Sequence, residues 1–336
     1  MMRHLGNGSL KPVVTHPSNA KRKLFLSFDQ CHILKNVRSL FMEGDMTDRM
    51  LPITGKFMKQ LYELQKNETV KPVRFLTQKH VEPTNFEKMH VGRAVQLFSN
   101  EVISAVEFLK DYPSYHQKAE MFRNAGATIN FMRMIQKWFA IHNVANRTAH
   151  LELRNPDQMQ FFCKTEERRQ WLEEEFPQYL QDINEACKPN AKKFLSAETY
   201  EALLLTSQST VLCVKYLLDS GFFYVLTRDL SSDSVELLFS ALRQMSGGND
   251  CLDARAVTFS LEKILRTGIL CASQASNVGT KQSVSSIHSP SVIVKFPATT
   301  APEGPLASAV RASAETALKR NKCEHRIHRR LRGKGC

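Results

Sequence analysis

From residue 86 to residue 220 the apolar side chains recur at helical spacing almost without relief. A chain with that much apolar-faced helix has to wrap it into a bundle. Phe86 to Leu109 carries Met89, Ala94, Val95, Leu97, Phe98, Val102, Ile103, Ala105, Val106 and Phe108. That surface is wider than one face, so the spacing predicts a single central helix. A second segment runs from Ala119 to about His142 through Met121, Phe122, Ile129, Met132, Ile135, Trp138 and Phe139. A third, Glu166 to Ala186, is amphipathic, and its "EERRQWLEEEF" predicts a wet outer face with i,i+4 ion pairs. A fourth enters through Ser196 and Thr199, with Thr199 where a capping box usually has Glu or Gln, and stops at Gly221. No internal repeat is evident.

Ahead of this block, Leu24, Phe25, Leu26 and Phe28 form a continuous run of β-favouring residues, which predicts a strand buried on both faces. Ile33, Leu34, Val37, Leu40 and Phe41 then mark one face of a helix. Asp29 stands between the two. A carboxylate there either caps the helix that follows or holds a metal at the mouth of a sheet, and the local pattern leaves both uses open. Behind the block, Ser232 can cap a helix in which Asp233 and Glu236, three residues apart, share a face, while Val235, Leu238, Phe239 and Leu242 supply the core side. Acids in a first turn also simply complement the helix dipole. An early strand-end Asp, a late helix-face Glu and a helical block between them is the order that an interrupted RNase H-like core would show.

With 336 residues and 42% hydrophobic content, the chain has room for two domains and a sizeable core. No apolar stretch approaches the roughly 20 residues needed to span a bilayer. The opening "MMRHLGNGSLKPVV" lacks a signal-peptide core, so a soluble intracellular protein without a membrane partner is expected. The eight cysteines are scattered with no CxxC pair or zinc spacing, which reads as reduced thiols; Cys31 beside His32 reads as core packing next to a surface imidazole. Residues 311–336 hold nine Lys or Arg against Glu315 and Glu324, which is +7 of the formal +13. The body is therefore only mildly basic, and the tail reads as a polyanion-binding run, a nuclear address or a solvated stretch. The Ser-, Ala-, Thr- and Pro-rich residues before it read as a disordered linker, with the folded region ending near Leu270.

Three segments, in order, carry a resemblance. "FDQCHILKNVRSLF" resembles an Asp-x-x-His-Leu-x-Lys-x-x-Arg-Asn motif, "FLTQKHVEPTNFEKMHVGRAVQLFSNEV" the opening of a helical insertion domain, and "FFYVLTRDLSSDSVELLFSALRQMSGGND" a Tyr-Val-Leu-Thr, Gln-Asp-x-x-Glu-x-x-Phe-x-x-x-Arg, Gly-Gly-x-Asn series. All three belong to the P element family of DNA transposases, which includes THAP-domain relatives in animals. The resemblance covers about Lys21 to Leu270. It implies a partial α/β RNase H-like catalytic core interrupted by a large, mostly α-helical, guanine-nucleotide-binding insertion, followed by a disordered basic tail. The expected layout is a disordered lead at 1–20, the first part of the core at 21–72, a GTP-binding-type insertion at 73–205, the last part of the core at 206–270 and the tail at 271–336.

The family cuts and rejoins DNA in the nucleus with a D, D, E carboxylate set that holds magnesium. The resemblance places Asp29 at the second Asp, Glu236 at the Glu and Asp233 at the acid three residues before it. Asp29 and Glu236 are thus the implied metal ligands. The family's first Asp lies on an earlier strand, and the 28 residues before Asp29 contain no acidic residue. Val91, Ser99 and Asn143 stand where the family has the nucleotide-contacting Val, Ser and Asn. Phe75 and His90 replace expected lysines, and Ala140 replaces an Asp that reads the base. These departures imply impaired magnesium chemistry and weak GTP binding. The expected product is a transposase-derived, catalytically incomplete protein with DNA, and a second copy of itself, as ancestral partners. A domesticated DNA- or protein-binding regulator and a fragment of an active GTP-dependent transposase are the competing readings.

Overall fold

The computed structural model describes residues 2–48, 50–162, 166–187, 194–248 and 251–267. Two compact units meet in sequence between Ser234 and Val235. The expected tail, 271–336, lies outside the described residues.

In the first unit, α1 (Met2–Leu5) leads into an antiparallel ribbon of β1 (Val13–His16) and β2 (Asn19–Phe25), and α2 (Gln30–Glu43) follows. A second antiparallel ribbon pairs β3 (Asp45–Asp48) with β4 (Leu51–Thr54) before α3 (Lys56–Gln65). Then come α4 (Gln78–Val81), α5 (Asn85–Lys88), α6 (Val91–Leu97), α7 (Asn100–Asp111), α8 (Gly126–His142) and α9 (Ala149–Glu152). Next, α10 (Glu167–Gln170) runs through a π-helical turn, Trp171–Glu175, into α11 (Phe176–Cys187), and α12 (Ala197–Asp219) is the longest helix among the described residues. Last are α13 (Asp233–Met245), which begins with the final two residues of the first unit, and α14 (Ala254–Thr267).

The core of the first unit forms around α8, whose Phe131, Met132, Ile135, Trp138 and Ile141 are fully buried. Phe41 of α2 lies 5.6 Å from Phe131 and 5.5 Å from Phe98, ring centre to ring centre. The buried indole of Trp138 donates to Ser207 Oγ at 2.9 Å, and Ser207 donates on to the Leu203 carbonyl. A polar atom at the centre is thereby satisfied. Gly55, where α2 and α3 approach, has no room for a side chain: a Cβ there would sit 2.7 Å from Met42 Cα.

Several expectations change. The run Leu24–Phe28 is not a strand buried on both faces. β2 ends at Phe25, its first five residues are exposed and its last two half-buried, and its partner is the short antiparallel β1. Among the described residues the strands form two separate two-stranded sheets, so no central sheet covers it. Residues 1–20, expected as an unordered lead, supply α1 and β1. The single helix read over Phe86–Leu109 is three, α5 to α7, with breaks at Met89–His90 and at Phe98–Ser99. In α13, Val235 and Phe239 are exposed, and the buried side is Ser240, Ala241 and Leu242. The fourth helix agrees with its reading: Ser196 accepts from Thr199 N–H. Its other end closes on Gly221 at φ +94°, with Gly221 N–H on Leu218 O and Phe222 N–H on Leu217 O. That pair of bonds is a Schellman closure, which needs the left-handed conformation glycine adopts freely.

Candidate functional site

Asp29 follows the first ribbon and is the N-cap of α2, with φ −65° and ψ 125°. Oδ1 accepts from the backbone N–H of Cys31 at 2.9 Å and of His32 at 3.0 Å. Oδ2 accepts from Ser232 N–H at 3.0 Å and from Ser232 Oγ–H at 2.9 Å. A carboxylate offers about four acceptor positions, and here four donors fill them. Burial raises the Asp29 carboxyl, yet the hydrogen bonds from Ser232 and His32 outweigh it and its pKa lies below the ordinary value. The residue stays ionised because donors from two distant segments converge on it.

Ser232, read in the sequence as the cap of its own helix, donates its hydroxyl proton to Asp29 across 203 residues of chain. No local pattern carries a bond of that separation. Asp233, the first residue of α13, is held by Arg228, whose Nε and Nη2 donate to its Oδ2 at 3.1 and 3.0 Å. Cys31, half-buried beside these acids, is pushed up to about 12 by burial first and then by Asp29 and Asp233, so it is a thiol and not a soft metal ligand. Glu236 stands one turn into α13, half-exposed and in the second unit. Among the described residues no group of three or more His, Cys, Asp or Glu is arranged to hold a metal.

A cavity of about 410 Å³ opens in the first unit between α6, α7 and α8 and the segment around α9. Ser99 and Asn143 both line it, with Phe139 and Ala140 on the same wall. Val91, Phe75 and His90 do not: Phe75 packs on His80 with ring centres 6.2 Å apart, and His90 is an exposed residue ahead of α6. Ser99 is the N-cap of α7 but makes no side-chain cap bond, and its Oγ is buried without a hydrogen-bond partner. A buried hydroxyl left unmade costs free energy, so the wall carries a polar atom that a ligand can satisfy.

The sequence reading missed most of this wall. It includes Asn100, Glu101, Gln136, Asn146, Glu152 and Arg228, which carry no signature by spacing because they come from five separate segments. Among the residues lining the cavity Arg228 is the only cation, and it is committed to Asp233. Glu101 and Glu152 add negative charge. The cavity therefore suits a neutral, hydrogen-bonding ring system better than a polyphosphate.

A family model described as the TNP-like, GTP-binding insertion domain matches residues 31–156. The chain is 23% identical over 248 residues to the Transposable element P transposase of Drosophila melanogaster, a match covering 73% of this chain and 31% of that protein. It is 28% identical over 151 residues to the DNA transposase THAP9 of Homo sapiens, covering 43% of this chain and 15% of that protein. The chain thus spans less than a third of either relative's length. A solved structure, the Drosophila P element transposase strand transfer complex, superposes with a TM-score of 0.61 at 20% identity, over 80% of this chain and 56% of that one. The likeness is one of fold.

Proposed function

We propose, on the premise that the chain is a relative of the P element-family transposases, that it is a transposase-derived nuclear protein that binds DNA and does not cut it. The observation that carries this reading is the saturation of Asp29. Both its oxygens are spent on Cys31, His32 and Ser232, and a magnesium ion could use them only by stripping the Ser232 donors away. A hard cation needs several free oxygens at once, and the residues as arranged do not fit one at Asp29. Asp233, the neighbouring acid of the expected set, is likewise committed, to Arg228. On this reading residues 21–72 and 206–270 descend from an RNase H-like core and 73–205 from the GTP-binding-type insertion, and Asp29 has become a structural tie.

The cavity does fit a nucleoside. Ser99 Oγ and the Asn143 carboxamide can hold its polar edge, and Phe139 and Val95 its ring face. Supplied there, a guanine nucleotide would act as a packing and hydrogen-bonding element, since the lining residues offer its phosphates no free cation.

The test is a cleavage and joining assay of the purified chain on P element-type transposon ends with magnesium or manganese. No product is expected. Asp29→Asn is expected to lower folding stability by about 1.5–3 kcal/mol, the range for a hydrogen bond to a charged group, with the DNA unchanged. Metal-dependent strand cleavage that vanishes in both Asp29→Asn and Glu236→Gln proteins would overturn the reading.

A further inference from the structure

The first 28 residues contain Arg3, Lys11, Lys21, Arg22 and Lys23 and no carboxylate. Arg3 is paired with Glu201 of α12 at 2.9 Å. Lys11, Lys21, Arg22 and Lys23 have no ion-pair partner among the described residues. Three of these four lie on β2, whose residues Asn19 to Lys23 are all exposed. Lys23 pairs with Thr15 across the ribbon, and Lys21 and Arg22 lie in the bulged stretch between that pair and the His16–Asn19 pair. Four like charges this close repel one another, and a solvated loop would let them spread. Here both ends of the stretch that carries Lys21 and Arg22 are tied into the ribbon, at Asn19 and at Lys23.

The base of the ribbon is bolted to α12. Leu26 N–H donates to the Pro12 carbonyl at 2.8 Å, Phe28 N–H to Thr206 Oγ1 at 3.0 Å, and Ser209 Oγ–H to Pro12 O at 3.4 Å. The Phe25 ring lies 5.3 Å from that of Tyr216. At the far end His16 Nδ1 takes Ser18 N–H and Asn19 Oδ1 takes Lys21 N–H, which shapes the turn. Beside the ribbon a cleft of about 440 Å³ opens between Lys11 and Lys23, with Asn7 and Thr15 in its wall. The result is a fixed, cationic, two-stranded projection with a polar cleft at its side.

We propose that this ribbon, residues 13–25 with Lys11, is a docking element for the phosphate backbone of duplex DNA. The inference rests on the reading above that the chain binds DNA, and it names the surface. A two-stranded ribbon fits the major groove, which is about 12 Å wide. Its outward side chains are Lys, Arg, Asn and Thr, which suit phosphate oxygens, so the contact positions the protein and adds little sequence preference. The cleft between Lys11 and Lys23 receives one phosphate, and Lys21 and Arg22 meet its neighbours.

The experiment is fluorescence anisotropy of a labelled duplex of about 20 base pairs and arbitrary sequence, titrated with the full chain over a range of KCl. The unmodified chain is compared with the K21Q/R22Q/K23Q variant and with an R329Q/R330Q/R332Q variant of the basic C-terminal run. Each lost phosphate contact lowers the slope of log affinity against log salt by about 0.9. The ribbon variant is expected to lose two to three such steps and at least about tenfold in affinity near 0.1 M salt, with an unchanged thermal melt because its residues are exposed. Adding Lys11→Gln removes about one further step. If the chain binds the duplex and the ribbon variant keeps its slope, so that only the C-terminal variant loses it, the ribbon is not the contact and the inference falls alone. If the unmodified chain shows no affinity for duplex DNA, the ribbon and the DNA-binding reading fall together.

Discussion

At the scale of single residues, the proposed nucleotide reading turns on Ala140, which lines the cavity. A carboxylate at that point in the wall would accept two N–H groups from one edge of a guanine, and a methyl group accepts none. GTP and ATP are therefore expected to bind the full chain about equally weakly in calorimetry. Ala140→Asp should favour GTP over ATP by roughly tenfold or more, since charge-assisted bonds are worth about 1.5–3 kcal/mol. Micromolar, GTP-selective binding by the unmodified chain would contradict this. Two residues on, His142 is buried at the end of α8, where Nδ1–H donates to the Trp138 carbonyl at 2.7 Å and the ring lies 4.4 Å from the indole. Burial lowers its pKa to about 4, against the partial opposition of its hydrogen bonds. The folded state thus keeps this imidazole neutral, while the unfolded chain protonates it near pH 6.5. Its contribution is complete above that pH and is lost as pH falls towards about 4, for a total of about 3 kcal/mol. His142→Asn keeps a donor to Trp138 and has no proton to gain. The stability gap between the two proteins should narrow by about 2 kcal/mol or more from pH 7 to pH 4.5 in urea titrations. A constant gap would show that His142 titrates as it does in solvent.

At the scale of elements, what could be read in advance was whatever announces itself within a few residues. The α12 helix was legible from Ser196 to Gly221 because both ends carry their own caps. The helix begun at Glu167 was legible in extent, but its π-helical turn was not. Pro177 sits just inside α11; it has no N–H to give, and its ring crowds the carbonyl four residues back. The preceding turn widens instead, with Phe176 N–H reaching Trp171 O, and Trp171 and Phe176 both stay buried, their ring centres 5.1 Å apart. Of the two breaks inside Phe86–Leu109, the one at Ser99 falls on a cap-type residue and the one at His90 does not, and the continuous apolar content on either side hides both. The strand after Lys23 failed for a different reason. Apolar, β-favouring composition says that a segment can be covered; it does not say that neighbouring strands exist to cover it. The same limit hid the site: Asp29 could be seen as either cap or ligand, and the donor that settles how it is bonded, Ser232, lies 203 residues away.

At the scale of the whole molecule, the described parts of the two units are unequally supported. The first rests on a continuous core that includes Trp138, Phe41, Phe98, Phe122, Phe131, Phe161 and Phe176, all at most 1% exposed. The described part of the second has Ala241, Leu242 and Ile264 buried, with Leu238, Leu252, Val257 and Leu261 packed against them in part. Phe239, Phe259 and Leu265 face solvent at 51%, 68% and 66% exposure. At about 25 cal/mol per Å² of apolar area buried, so small a cluster leaves little after the backbone ordering cost of about 1–2 kcal/mol per residue. Helix α14 should therefore open by local fluctuation, well below the free energy of global unfolding, whereas α8 should open only with the whole first unit. Native-state hydrogen exchange read by mass spectrometry is the direct measure. Amides of Ala254–Thr267 are expected to exchange at least about a hundredfold faster than those of Phe131–Ile141, with an opening free energy that hardly changes at low urea concentrations. The α8 amides should instead follow the full denaturant dependence of unfolding. Equal protection in the two helices would mean that α13 and α14 are held by more apolar surface than the described core of their unit supplies.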